Sequence, residues 1–193
     1  MPSVELESLT TKARFVSIVS TDINGEGQVA GSESPMPNQT LGQLRLSEGR
    51  IFGLGVVYDF AVPLSAGASI DIGIAWPAGV TPIISFYGLC AGNALGFLYE
   101  GANLSGGTAA TPINHNRNST TASQAAVTVG PTVNATGTLV LKQLLLGGEG
   151  KKAGGGDVGV SNLILKPLTS YLIRLTNVNG TAHAAEIILE WTE

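Results

Sequence analysis

Ser69-Ile70-Asp71-Ile72-Gly73-Ile74-Ala75-Trp76 alternates isoleucine with polar or small residues and stops at Pro77. A period of two sends neighbouring side chains to opposite faces of an extended backbone, so this stretch predicts a half-buried β-strand. Proline cannot donate to a ladder, which ends it. Comparable runs lie on both sides. Ile51 to Val62 is apolar up to Pro63, and Ile83 to Leu89, Leu95 to Tyr99, Ala125 to Val129 and Thr138 to Leu146 continue the pattern between Gly/Pro punctuation. Leu163-Ile164-Leu165 and Ser170 to Thr176 flank a Lys166-Pro167-Leu168-Thr169 turn, and Ala184 to Trp191 forms a last run. A Trp-containing strand at the end of the sequence is expected to be held inside a sheet, since untethered termini fray. About eight or nine short strands, with no long amphipathic helix and no fixed-period repeat, predict a mainly antiparallel, jelly-roll-like β-sandwich.

Asn177-Val178-Asn179-Gly180-Thr181 reads as a hairpin loop, because Asn-Gly supplies the positive φ of a tight β-turn. That makes Ser170–Thr176 and Ala184–Trp191 expected antiparallel neighbours. Within the first of them Leu172, Arg174 and Thr176 share one face and Tyr171, Ile173 and Leu175 the other. Apolar residues on both faces place the pair deep in the sandwich or at a subunit contact.

Residues 1–48 form a separate unit, an extended N-terminal arm ahead of a β domain at 49–193. Leu6 to Ser20 is compatible with a short helix or a strand, with Phe15-Val16-Ser17-Ile18-Val19 leaning to β. From Thr21 to Thr40 Gly, Ser, Asn and Pro predominate and little is available to bury, so the stretch reads as a loop or arm. An arm of this kind either lies across a neighbouring subunit or is simply solvated.

The 193 residues suffice for one domain with a sizeable core. Charged residues make up 12%, about half the usual share for a soluble globular protein, whereas apolar residues make up 44% and Gly numbers 26. Ionic groups are costly to desolvate, so low charge density suits a surface covered by neighbouring subunits as well as a merely Gly/Thr-rich β domain. A net charge of −4, with Lys151-Lys152 as the only basic doublet, argues against a nucleic-acid partner. No uninterrupted apolar stretch reaches a membrane-spanning length, and Met1-Pro2-Ser3-Val4-Glu5 opens no secretory signal, so synthesis in a cytoplasm is expected. The sequons at Asn38, Asn103, Asn118, Asn134 and Asn179 then follow from composition rather than glycosylation. Cys90, the lone cysteine, sits in an apolar run and reads as a small buried hydrophobe.

Catalytic motifs are incomplete. Gly147-Gly148-Glu149-Gly150-Lys151-Lys152-Ala153-Gly154-Gly155-Gly156 lacks the Gly-Lys-Ser/Thr and following helix of a phosphate loop and reads as a flexible β-connection. His115 and His183 have no further ligands at metal spacing. Ser69 and Asp71 share a strand face, but no nucleophile elbow accompanies them. Asp59, Asp71, Glu100, Glu186 and Glu190 are the pool for a paired-carboxylate site, with Glu186 and Glu190 better read as edge or interface charges. Trp76, Trp191, Tyr58, Tyr87, Tyr99 and Tyr171 stand in apolar runs, which favours core packing over a sugar platform. Enzymatic activity and cofactors are therefore not expected. Asn114-His115-Asn116-Arg117-Asn118 is dense in donors and acceptors and reads as a hydrogen-bonded loop, either at a subunit or domain contact or purely structural.

Three segments carry a family likeness: Gly106-Gly107-Thr108 with Ile113-Asn114-His115-Asn116-Arg117; Ile164-Leu165-Lys166-Pro167 with Tyr171-Leu172-Ile173-Arg174-Leu175-Thr176-Asn177; and Leu189-Glu190-Trp191-Thr192-Glu193. In that order they resemble a recurrent family of tailed-bacteriophage virion proteins, over residues 106–193, with no counterpart in the first hundred residues. The resemblance implies a capsid decoration, or cement, protein that acts as a homotrimer on the outer head surface and bridges subunits of the major capsid protein. The trimer rests on the family and on general symmetry preferences. The alternative is a head or tail fibre module that recognises host surface glycans. A secreted or stress-related β-sandwich enzyme ranks behind both for want of a catalytic constellation.

Overall fold

A computed structural model describes residues 18–21, 27–30, 40–146 and 160–193. The chain divides into two compact units, Met1–Glu48 and Gly49–Glu193. Much of the expected N-terminal arm lies outside the described residues. Those described there are an antiparallel pair, β1 (Ile18–Thr21) and β2 (Gly27–Ala30), and a helix, α1 (Leu41–Ser47). Gly27–Ala30 is thus a strand within the Thr21–Thr40 stretch read as a loop, whereas the helix lies just past that stretch, and its start is encoded in a capping box. Thr40 Oγ1 accepts from Gln43 N at 3.2 Å while the Gln43 side chain accepts from Thr40 N at 2.9 Å.

The second unit is a mainly β, antiparallel sandwich. Its strands are β3 (Ile51–Tyr58), β4 (Ser69–Ala75), β5 (Ile83–Cys90), β6 (Ala94–Glu100), β7 (Asn103–Ser105), β8 (Thr108–Ala110), β9 (Ile113–Asn114), β10 (Ala126–Val129), β11 (Thr132–Ala135), β12 (Thr138–Leu145), β13 (Val160–Ile164), β14 (Ser170–Asn177) and β15 (Ala185–Thr192). One sheet, here sheet I, runs β12-β6-β14-β4-β10-β8; the other, sheet II, runs β13-β5-β15-β3-β9. The strands β3, β4, β5 and β6 alternate between sheets, β12 returns beside β6, and β13, β14 and β15 alternate again. Apart from that return, successive long strands therefore cross from one sheet to the other instead of pairing with each other. Among the described residues no helix is long and apolar enough to cross a membrane.

Alternation fixes the core. Ile70, Ile72 and Ile74 of β4 and Tyr171, Ile173 and Leu175 of β14 point inward from sheet I, against Ile84 and Phe86 of β5 and Ile187, Leu189 and Trp191 of β15. Cys90 is buried among them, as a small hydrophobe should be. At one end Trp191 packs 6.3 Å from Phe52 and edge-on, at 6.2 Å, to Trp76. Both indole N–H groups donate to Glu193 Oε1, at 3.2 Å from Trp76 and 3.0 Å from Trp191. The same carboxylate accepts from Ser123 Oγ and from the backbone N–H groups of Gln124 and Ala125. One side chain thus joins the ends of β4 and β15 to the segment leading into β10.

The expected hairpin between Ser170–Thr176 and Ala184–Trp191 does not form. β14 lies between β6 and β4 in sheet I, and β15 between β5 and β3 in sheet II, so the connection crosses the sandwich. Asn177 explains the difference. Fully buried, it donates from Nδ2 to the carbonyls of Leu64, Ser65 and Thr181, and its Oδ1 accepts from the backbone and side chain of Asn179. Asn179 in turn donates to the Asn93 carbonyl at 2.7 Å. The polar tripeptide is tied down to neighbouring loops instead of turning back on itself. The Lys166–Thr169 turn likewise leads from sheet II into sheet I rather than joining paired strands. β15 is also central, so Glu186 and Glu190 are outward-facing charges on an interior strand, not edge charges.

Tyr171 anchors that second crossing. Its hydroxyl accepts from Lys166 N at 2.9 Å and donates to Glu100 Oε2 at 3.0 Å, while Lys166 Nζ meets Glu100 Oε1 at 2.6 Å. Hydrogen bonds from Lys166 and then Tyr171 hold the Glu100 carboxyl below its ordinary value, whereas burial first of all raises the Tyr171 phenol. For Glu100 the lowered folded value gives stabilisation that is present above the unfolded pKa and is lost as pH falls through the folded one. For Tyr171 the raised value gives stabilisation that is present below about pH 10, the unfolded value, and is lost as pH rises through the folded one. Tyr171→Phe is therefore expected to flatten the alkaline limb of a melting-temperature profile relative to wild type. An unchanged limb would remove the phenol from that account.

Candidate functional site

Asn114-His115-Asn116-Arg117-Asn118 follows the short strand β9, which pairs with β3 at Phe52 and Gly53. Asn114 is buried and bridges two chain segments: Nδ2 donates to the carbonyls of Gly49, at 2.8 Å, and Thr121, at 2.9 Å, while Oδ1 accepts from Asn116 N. Asn116 Oδ1 then accepts from Asn118 N at 3.1 Å, and Ser119 N donates to the Asn116 carbonyl. The loop closes tightly over Gly49, whose φ of +69° and contact with the Ser119 side chain leave no room for a Cβ. Asn114 and Asn116 thus use polar groups to shape the loop, while Arg117 and Asn118 are exposed at its tip.

His115 turns back over sheet II. Its backbone N–H donates to the Ile51 carbonyl, its ring lies over Gly53, and Nδ1 is 3.5 Å from Glu190 Oε2. A Cβ at residue 53 would stand 2.5 Å from His115 Nε2 and 3.4 Å from the Leu189 carbonyl oxygen, so glycine makes the seat for the ring. Gly53→Val is expected to expel His115 and separate it from Glu190 at a cost of about 1–3 kcal/mol. Denaturant unfolding measures the cost, and nuclear Overhauser contacts between the His115 ring and residues 53 and 190 should disappear. Retained contacts would contradict the packing.

The outer faces of the two sheets differ. On sheet I a row crosses four strands: Asp71, Arg174, Phe97 and Lys142. Arg174 makes a bidentate pair with Asp71 at 2.6 and 2.7 Å, which raises the guanidinium pKa, and Lys142 Nζ lies 5.8 Å from the Phe97 ring centroid. Nearby, Ser69 and Thr176 hydroxyls bond at 2.7 Å, so Ser69 and Asp71 are occupied structurally. The β7-β11 pair adds cover, with Leu104 against Gly73.

Sheet II is open where His115 stops. Ile188 faces outward between Gly55 and Tyr87, and Val57 lies next to Glu186. Val57 is 62%, Ile188 41% and Tyr87 37% exposed, and the space above Gly55 is empty of neighbouring side chains. Trp76, Trp191 and Tyr171 do pack in the core, but Tyr87 does not, because it occupies an outward position of β5. Phe60, in the loop after β3, is 86% exposed at the edge of a cleft of about 310 Å³. The sequence marks Tyr87, as an expected core aromatic, but not Val57, Phe60 or Ile188. The available signal was Ile188 between Ile187 and Leu189, an apolar residue at a position where the period of two calls for a polar one.

Among the described residues no group of three or more His, Cys, Asp or Glu side chains could hold a metal ion. The Gly147–Gly156 connection lies outside the described residues. Comparison with protein-family models, with curated proteins and with solved structures found no match for this chain.

Proposed function

We propose that this chain is a non-enzymatic structural protein of a phage virion, a decoration protein that attaches as a homotrimer to the outside of the head. The observation that carries the proposal is the outer face of sheet II, where Val57, Tyr87 and Ile188 stand exposed on the central strands of a rigid sandwich. A contiguous apolar strip on ordered strands suits a protein–protein contact. The low charge content of the whole chain points the same way. Its work is mechanical: each domain bridges neighbouring copies of the major capsid protein, and linkage through an oligomer multiplies modest contacts by effective concentration.

Purified protein is expected to be a concentration-independent trimer by light scattering and to co-sediment with phage heads that lack it. Ile188→Lys, which places a charge in the strip while keeping the core intact, should reduce co-sedimentation by about tenfold or more. Failure of the wild-type protein to bind heads, together with specific retention on a glycan array, would replace this function with host recognition.

A further inference from the structure

We infer that the cleft beside Val57 is a receptor for one arginine side chain presented by the capsid subunit. This rests on the decoration reading and names the contact it makes. Val57, Phe60 and Leu89 provide apolar walls, and Asp59 and Glu186 bring two carboxylates to the same cleft. Val57, Glu186 and Leu89 are neighbours across β3, β15 and β5, so the cleft continues the apolar strip at Ile188.

The carboxylates are not equivalent. Asp59 Oδ1 accepts from Ala61 N and Val62 N, both at 2.9 Å, which fixes the loop bearing Phe60. Glu186 is partly buried, yet among the described residues it has neither a hydrogen bond nor an ion pair. Other described acids are engaged: Asp71 with Arg174, Glu100 with Lys166, Glu190 with His115, and Glu193 with its five donors. A carboxylate half-withdrawn from water between apolar walls is best compensated by a cation whose own body is apolar. Guanidinium meets both demands, since it is weakly hydrated, pairs with carboxylates in a fork and stacks on an aromatic face such as Phe60. At about 310 Å³ the cleft lies at the small end of ligand sites, enough for a side chain and too little for an oligosaccharide.

The full chain is titrated with Nα-acetyl-arginine methylamide and, separately, with the neutral citrulline analogue, by amide NMR. The arginine probe is expected to shift residues 57–60, 89–91 and 184–186 saturably. The citrulline probe should bind about tenfold more weakly, and Glu186→Gln should abolish the difference. The spectrum of Glu186→Gln itself reports that the fold is kept. Equal binding of both probes, or none by the arginine probe, overturns the inference. Co-sedimentation with heads separates it from the decoration reading. If wild type binds heads and Glu186→Gln binds them equally well, the arginine receptor falls and decoration stands. If the arginine probe binds as expected but wild type does not bind heads, decoration falls, and with it the capsid as donor of the side chain. Loss of head binding in Glu186→Gln, with the probe preference lost in parallel, supports both.

Discussion

Trp191→Ala is expected to lower the free energy of unfolding by about 3–5 kcal/mol, the range for emptying a large aromatic site in a packed core. Trp191 is 1% exposed, and its neighbours Phe52 and Trp76 come from different sheets, so the cavity would open at the seam of the sandwich. Neither neighbour can fill it without giving up its own packing. The substitution also removes one of the two indole donors to Glu193. Domains of this size are typically stable by about 5–15 kcal/mol, so the variant should unfold at much lower denaturant or fail to accumulate. Trp191→Phe separates the causes, because it keeps most of the ring volume and loses the donor. It is expected to recover more than half of the loss; recovery of less would assign the larger share to the Glu193 hydrogen bond.

Asn177→Asp comes second. An aspartate at this position would set carboxylate oxygens against the carbonyls of Leu64, Ser65 and Thr181, which now receive the Nδ2 donors, in a site with 0% exposure. An uncompensated buried charge facing three acceptors costs about 3–5 kcal/mol, or protonates to avoid it. The variant should therefore be much less stable at neutral pH and partly recover in acid, the opposite of general acid denaturation. Asn177→Ala, which leaves the carbonyls unpaired but brings no charge, should lie between it and wild type. Equilibrium unfolding of the three proteins across pH checks the order. Hydrogen exchange should show early opening of the Leu64–His183 bridge, which this side chain supports.

The strands themselves were legible because their signal is local: alternation in β4 and proline after it fix a strand without reference to any partner. Partner choice is not local. Asn-Gly at 179–180 has the composition of a tight turn, and only the burial of Asn177 two residues earlier shows that the segment is a crossing. The role of Glu193 was equally hidden, since its donors come from positions 76, 123, 124, 125 and 191. At the candidate sites, the density of amides in 114–118 announced a hydrogen-bonded loop. Nothing in it announced that His115 would rest on Gly53, because a glycine in an apolar strand does not say what it admits. The cleft was missed for a related reason: Glu186 reads as an ordinary surface charge until the walls on either side of it, from β3 and β5, are known.

The place of β3 governs how this domain can come into being. Ile51 through Tyr58 pair with Thr192 through Ala185, so the first long strand of the sandwich has as its principal neighbour the last. Such a topology has high contact order: a large loop must close before its pairing is rewarded, and assembly cannot proceed strand by strand along the chain. Folding is then expected on the slower scale of all-β domains, milliseconds to seconds, with the same barrier delaying escape from the native state. Residence in the folded form is then set by an unfolding rate, a kinetic durability that would serve the structural role proposed above.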